Sequence, residues 1–284
     1  MTYYKDNYKN NSSHLFYLEE TGERKMSDKS TIEWTQATWN PVTGCTQVSP
    51  GCDHCYALTF AERFRGVPNH PYTQGFDLKL WPERLRLPYN WKKSRRIFVN
   101  SMSDLFHKDV SDDFILDVFE TMIKANHHVY QVLTKRPSRL INTNLTEKIT
   151  QRIFELTGTA TWPSHIWLGV SVETNAYVWR VDALRKVPVA VRFISAEPLL
   201  GKLDELNLEN IHWLISGGES GNGFRSCDPD WVRYLRDSCQ REGVAFFHKQ
   251  WGGRVPKANG RELDGRIWDE FPQTATPTSI TALV

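Results

Sequence analysis

The chain has 284 residues, 35 Lys and Arg against 33 Asp and Glu, and five cysteines. That length holds one large domain or two small ones, and 40% hydrophobic with 24% charged residues supplies enough apolar mass for a core. A net charge of +2 excludes a strongly basic, nucleic-acid-coating protein; no apolar run approaches the roughly 18–20 residues of a membrane span, and nothing reads as a secretory signal, which points to a cytoplasmic protein with no membrane partner.

Residues 1–30 carry Asn, Ser, Lys and Glu without a sustained period and read as a disordered leader or tail. Met26 offers an alternative natural start, with the preceding residues an upstream extension. From Pro41 the chain alternates short apolar, β-branched runs with longer helical ones. After a first strand near Pro41–Gly44, the strand candidates begin at Ile97, Tyr130, Ile166, Val191, Ile211 and Val244, stepping by 33, 36, 25, 20 and 33 residues. A βα unit occupies about 30 residues. Continuous rather than alternating apolar strands indicate a parallel sheet covered on both faces.

The helices between them carry start and stop signals. Ser111 caps a stretch in which Phe114, Ile115, Val118, Phe119, Met122 and Ile123 form one apolar face. Thr174 could cap a helix carrying Tyr177, Val178, Val181 and Leu184, and Asp228-Pro229 opens another that Gly243 stops. About seven units of this kind predict an α/β fold, a full or partial (β/α) TIM-like barrel over residues 31–252. Asn259-Gly260 and Asp264-Gly265 are turn signals, so residues 253–284 read as a C-terminal hairpin-like cap and tail.

In such a barrel, function lies beyond the carboxyl ends of the strands. Those ends are polar here: Asn100-Ser101-Met102-Ser103-Asp104, Thr134-Lys135-Arg136, Ser171-Val172-Glu173, Ser195-Ala196-Glu197, Ser216-Gly217-Gly218-Glu219 and Lys249-Gln250-Trp251. Some of these merely cap helices, as Ser111 and Thr174 do. So many polar groups on one rim are hard to explain by packing, and the rim is a candidate ligand site.

The cysteines divide into three and two. Cys45, Cys52 and Cys55 are spaced C-x6-C-x2-C on a loop turned by Gly44, Pro50 and Gly51, while Cys227 and Cys239 lie far away. An odd, uneven set does not suit a disulfide framework. Three soft thiolates on one loop can hold three irons of a 4Fe–4S cluster and leave the fourth open. Structural zinc, with His54 or a distant thiol as fourth ligand, is the alternative cofactor; three unconnected thiols is a third reading. Cys227 is a candidate extra ligand, and Cys239 falls on an apolar helical stripe and reads as core.

This loop resembles that of the radical S-adenosylmethionine superfamily, whose usual motif is C-x3-C-x-φ-C after the first strand of a (β/α) barrel. Here His54 stands at the aromatic position, and the first spacing is longer. Ile32-Glu33-Trp34-Thr35, Trp39-Asn40-Pro41-Val42-Thr43-Gly44-Cys45, Ser101-Met102-Ser103-Asp104-Leu105-Phe106, Ser195-Ala196-Glu197-Pro198-Leu199-Leu200-Gly201, Gly217-Gly218-Glu219-Ser220-Gly221 and Lys249-Gln250-Trp251-Gly252 further resemble a phage and bacterial family of uncharacterised three-cysteine proteins, over about residues 30–270. DNA-acting lyases such as spore photoproduct lyase are a more distant analogy.

The resemblance implies that the open iron binds S-adenosylmethionine and that reductive cleavage of the sulfonium releases a 5′-deoxyadenosyl radical, with electrons from a flavodoxin or ferredoxin. It assigns Cys45, Cys52 and Cys55 to the cluster. The superfamily's usual Gly-Gly-Glu after the second strand is absent; Asn100, Ser101, Ser103 and Asp104 take its place, and Asp104 could receive the methionine amino group. His54, Ser171, Glu173, Glu197, Gly217, Gly218 and Glu219 are further cofactor candidates, with the glycines allowing close backbone approach to adenine. Glu197 and Glu219 could instead form buried ion pairs with Lys135 or Arg136.

Lys135, Arg136, Lys249 and Trp251 on the rim are candidate substrate contacts. With Arg261 and Arg266 in the cap, and Lys92, Lys93, Arg95 and Arg96 beside Trp91, they suit phosphate contact plus base stacking, so DNA or RNA is the expected partner. The implied activity is nucleic-acid or nucleotide modification or repair. A noncatalytic iron–sulfur or zinc protein binding nucleic acid or a partner protein is the competing class. A metal-dependent hydrolase is weakest, because no His and Asp spacing suits it.

Overall fold

The computed structural model describes residues 30–273, together with an antiparallel pair, Tyr17–Leu18 with Arg24–Lys25. The leader expected over residues 1–30, apart from that pair, and the last residues of the expected tail lie outside the described residues.

Seven strands form one parallel sheet: β1 (Ala37–Trp39), β2 (Arg96–Val99), β3 (Val129–Thr134), β4 (Ile166–Ser171), β5 (Val191–Ala196), β6 (Trp213–Gly217) and β7 (Ala245–Gln250). Their order in the sheet is their order in the chain, with Ala37 against Ile97, Ile97 against Tyr130 and Trp213 against Ala245. β1 and β7 do not pair with each other, so the sheet is a curled half-barrel rather than a closed one. This settles the choice between a full and a partial barrel.

The first strand lies earlier than expected. Ala37, Thr38 and Trp39 are buried and run beside β2. Val42–Thr43, beyond Pro41, turns away to pair antiparallel with Lys79–Leu80. Proline cannot donate a ladder hydrogen bond, which favours ending β1 before it.

Helices α1 (Tyr56–Glu62), α2 (Asp112–Lys124), α3 (Leu145–Thr157), α4 (Trp179–Arg185) and α5 (Pro229–Glu242) accompany the strands. The Ser111 hydroxyl accepts from the Phe114 N–H at 3.3 Å, and Asp228 accepts from the Asp230 N–H at 2.9 Å, so both expected caps form. Thr174 makes no side-chain cap; it precedes a short 3₁₀ turn, and the helix starts only at Trp179. The outward strand residues Val99, Val132, Leu168, Ile194, Leu214 and Phe246 bury against Phe119, Ile149, Val181 and Leu235 of the helices.

The concave side holds a separate aromatic cluster: Trp34, Phe98, Trp167, Val191, Phe193, Trp213, Ile215 and Phe247. Trp213 is its hub, with ring centroids 5.7–6.1 Å from Phe193, Trp167, Trp34 and Phe247. Contact between Trp34, which packs on Phe98 of β2, and Trp213 of β6 shows how far the sheet curls. Lys257 reaches Glu33 at 2.8 Å across the open side.

The C-terminal hairpin forms as expected: Glu262–Leu263 pairs with Arg266–Ile267 around Asp264-Gly265, both at positive φ. The following residues cover the β7 edge, with the His248 N–H donating to the Trp268 carbonyl and the Glu270 N–H to the Phe246 carbonyl.

Candidate active site at the carboxyl rim

Side chains alternate across a strand, so each inward residue above the aromatic floor is fixed by the one below it. Phe98 is followed inward by Asn100, Leu133 by Lys135, Phe193 by Ser195 and Glu197, Ile215 by Gly217, and Phe247 by Lys249. On β4 the inward series continues through Ser171 to Glu173. The apolar floor therefore gives way, within one or two residues of each strand, to a polar layer at the rim.

That layer is ordered by its own ion pairs. Glu173 is fully buried; it meets Arg180 at 2.9 Å and Lys135 at 3.3 Å, and accepts from the Ser49 hydroxyl at 2.7 Å. Lys249 meets Glu197 at 2.5 Å. Glu219 accepts from three nitrogens of Arg225, its backbone N–H included, and its Oε2 lies 2.9 Å from His54 Nδ1. Burial works to raise the Glu219 carboxyl, but hydrogen bonds from Arg225 and His54 outweigh it and hold it at about 2. The carboxylates are thus paired as expected, but with Lys249 and Arg225 rather than with Lys135 or Arg136.

The cysteine loop follows β1 and lies across these strand ends. Arg136, after β3, donates to the Thr46 carbonyl and hydroxyl, each at 2.8 Å, and reaches Cys45 Sγ at 3.9 Å. His107, after β2, contacts the same hydroxyl at 2.9 Å. Ser49 bonds Glu173 after β4. Gly51 packs so closely on Glu173 that a Cβ there would stand 2.5 Å from its Oε1. Arg225, beyond β6, donates to the Pro50 carbonyl at 2.8 Å and meets Asp53 at 3.3 Å. Residues that follow β2, β3, β4 and β6 therefore grip this one loop.

All three motif thiols are half-buried. Burial first, then the Asp104 charge, pushes Cys45 up to about 11, partly offset by Arg136; burial also raises Cys55. Such thiols are protonated at neutral pH until a metal displaces the proton. Three thiols on one loop are a donor set whose chemistry suits an iron–sulfur cluster. Among the described residues, no three His, Cys, Asp or Glu side chains are grouped as ligands of a metal ion. The fit to a cluster therefore stands on donor chemistry and loop position.

The remaining candidates fall as follows. Asp104 is enclosed by donors: the Phe106 and Lys135 N–H groups and the Thr134 hydroxyl, at 2.8–3.0 Å. The Ser101 hydroxyl bonds the Asn40 side chain, and the Ser103 hydroxyl donates to the Val42 carbonyl. Asn100 is buried at φ 61°, with neither side-chain amide atom partnered. Gly217 backs onto Glu197; at Gly218 a Cβ would stand 2.0 Å from the Trp251 carbonyl, so the close approach there is by the chain's own backbone. Trp251 donates its indole N–H to the Glu262 carbonyl at 2.8 Å, tying the rim to the hairpin. Cys227 packs beneath Gly218, and burial pushes its thiol up to about 12.

The basic run at Lys92–Arg96 is not at the rim. It leads into β2, which Arg96 opens, and so lies at the amino-terminal edge of the sheet, where the Arg95 guanidinium sits over Trp91 and that of Arg96 over Phe271. Arg261 turns inward to the His248 and Trp268 carbonyls. Conversely, Arg225, Arg180, Ser49 and Tyr56 belong to the site without a sequence signal that singles them out. Only its place next to Cys55 hinted at Tyr56, whose ring is exposed while its hydroxyl turns in to the Ser101 carbonyl and is raised by burial.

A family model described as a protein of unknown function, DUF5131, matches residues 29–272. The chain belongs to the DUF5131 family. No curated protein matches it. Among solved structures, a cysteine-to-serine mutant of spore photoproduct lyase is similar at 9% identity and TM-score 0.46, covering 80% of each chain. The same lyase with bound AdoMet and dinucleoside spore photoproduct aligns at 8% identity and TM-score 0.45, over 85% of this chain and 80% of that one. With dinucleoside spore photoproduct alone it aligns at 8% and 0.44, over 84% and 80%. At this distance the fold of the DUF5131 chain is established by its own strand order.

Proposed function

We propose that this DUF5131 chain is an iron–sulfur enzyme of the radical S-adenosylmethionine type that modifies or repairs a nucleic acid or nucleotide-like substrate. The observation that carries the reading is the position of the C-x6-C-x2-C loop: after β1, at the carboxyl rim, gripped by residues that follow β2, β3, β4 and β6. When bound, the cluster would supply the electron that cleaves S-adenosylmethionine and generates a 5′-deoxyadenosyl radical.

The chain's own residues hold and enclose. Cys45, Cys52 and Cys55 would be the protein ligands. The aromatic floor closes the concave side from below and would keep bulk water from the space above it. Asn100, buried with both amide atoms unpaired, offers a donor and an acceptor to a planar polar group. Tyr56 and Phe224, 56% and 39% exposed, offer stacking surfaces for bases. A flavodoxin or ferredoxin would deliver the electron.

Anaerobic reconstitution with iron and sulfide tests this reading. A brown protein whose colour needs Cys45, Cys52 and Cys55, and which releases 5′-deoxyadenosine with dithionite and S-adenosylmethionine, supports it. Faster release with a DNA or RNA oligonucleotide supports the substrate class. A colourless protein holding one zinc, or a brown one that does not bind S-adenosylmethionine, overturns it.

A further inference from the structure

We propose that Arg136 is a positioning residue of the cysteine loop that sets its guanidinium charge against the Cys45 sulfur and raises the reduction potential of the cluster that Cys45 would hold. The proposal rests on the iron–sulfur reading and moves Arg136 from the substrate side of the site to the cofactor side.

Three observations converge on it. One guanidinium nitrogen of Arg136 reaches the Thr46 carbonyl and hydroxyl, both at 2.8 Å, and Cys45 Sγ at 3.9 Å, so the donor is pinned where the sulfur is. The arginine is itself fixed from below: its backbone N–H donates to the Thr134 hydroxyl at 2.8 Å, and that hydroxyl donates to Asp104 at 2.8 Å. Its side chain is only 15% exposed and lies 3.9 Å from Asp104, so little of it is left to greet a ligand. Among the described residues it is the one charged side chain hydrogen-bonded to a motif thiol; the Cys52 sulfur has the Ser49 hydroxyl, and the Cys45 thiol otherwise its neighbour's carbonyl.

The chemistry follows from charge. Reduction adds one negative charge to a cluster spread over its sulfurs. An N–H donor and a positive charge at a ligand sulfur stabilise that added charge and raise the potential. Arginine suits the place because its guanidinium is always charged and weakly hydrated and spreads that charge over a plane that touches oxygen and sulfur together, whereas a lysine ammonium is a compact, strongly hydrated point of charge.

The test compares wild-type chain, Arg136→Lys and Arg136→Gln, each reconstituted anaerobically. Iron and sulfide per chain are counted, and the cluster's midpoint is read by potentiometric titration with electron paramagnetic resonance. At equal cluster content, Arg136→Gln is expected to shift the reduced-to-oxidised ratio about tenfold toward oxidised, which is about 59 mV for one electron. Arg136→Lys, keeping the charge but not the guanidinium plane that Thr46 holds beside the sulfur, is expected to shift in the same direction by less. Equal midpoints in all three proteins would overturn the proposal and leave Arg136 as a brace for Thr46. If Arg136→Gln takes up no cluster, Arg136→Lys decides: a lowered midpoint supports the proposal and an unchanged one overturns it. If the wild-type chain takes up no cluster, the iron–sulfur reading itself has failed, and this proposal falls with it before any variant is compared.

Discussion

The floor and the rim of the half-barrel are built on the same strands, one or two residues apart, and they obey opposite rules. Below, Phe98, Trp167, Phe193, Trp213, Ile215 and Phe247 pack as an apolar cluster. Above, Asn100, Lys135, Glu173, Glu197 and Lys249 bring charges and amides into the same concave space, and nearly all of them need a partner to be there. The floor contributes stability through buried apolar area. The rim contributes little net stability, because each ion pair spends its Coulomb energy on its own desolvation. An inward polar layer over a dry floor is what a reaction chamber requires and what packing alone would not select.

The largest test of that contrast is Trp213→Ala. Trp213 is fully buried at the hub of the floor and donates its indole N–H to the Glu270 carbonyl at 2.9 Å. Losing it should cost about 3–5 kcal/mol in chemical denaturation. A loss below about 1 kcal/mol would mean that the floor is loosely packed and does not carry the fold.

A smaller, pH-dependent effect belongs to the rim. Glu219 is held at about 2 against an ordinary 4.5, so its folded value is depressed. The stabilisation from its pairing with Arg225 and His54 is therefore fully present above about pH 4.5, and is lost as the pH falls from there through about 2. Allowing for the partial exposure of Arg225 and His54, the loss should be about 1–2 kcal/mol. Glu219→Gln should lack this acid limb, which denaturation midpoints at pH 5 and pH 3 would show. An unchanged difference between wild type and variant across that interval would mean that the clamp on the cysteine loop does not titrate.

Floor and rim were not equally legible in the sequence. Strands β2 to β7 announced themselves as mostly apolar runs, because a sheet packed on both faces keeps most strand positions apolar; Gln131 in β3 and Arg192 in β5 are the interruptions. β1 escaped, being only Ala37–Trp39, with Pro41 and the Val42–Thr43 run beside it imitating a strand start. Half-barrel against full barrel was open too, since closure depends on whether β1 and β7 meet, which no local pattern records. At the rim, residue types were readable but pairings were not. The bond from Ser49 to Glu173 spans 124 residues and that from Arg225 to Pro50 spans 175. Arg225 sits in a loop with no period, and Arg180 looks like any helical arginine until its side chain is found buried against Glu173. The cysteine motif was legible because its three thiols lie within eleven residues of one another, Cys45 to Cys55 counted inclusively.

The smallest expected effect comes from the opposite end of the barrel. Read along the chain, Lys92, Lys93, Arg95 and Arg96 beside Trp91 look like a phosphate and base contact. In the fold Lys92, Lys93 and Arg95 precede β2 and Arg96 opens it, at the edge opposite the rim, and Arg95 and Arg96 already cover aromatic rings. Lys92→Glu with Lys93→Glu reverses two exposed charges there. Each phosphate contact on a single strand contributes about 0.7 to the slope of log affinity against log salt. If the nucleic acid lies on the rim, fluorescence anisotropy with a single-stranded oligonucleotide should show affinity within roughly twofold of wild type and an unchanged slope. A slope lowered by about 1–2, with a matching loss of affinity, would place the phosphate backbone along the amino-terminal edge and separate the binding surface from the cysteine loop.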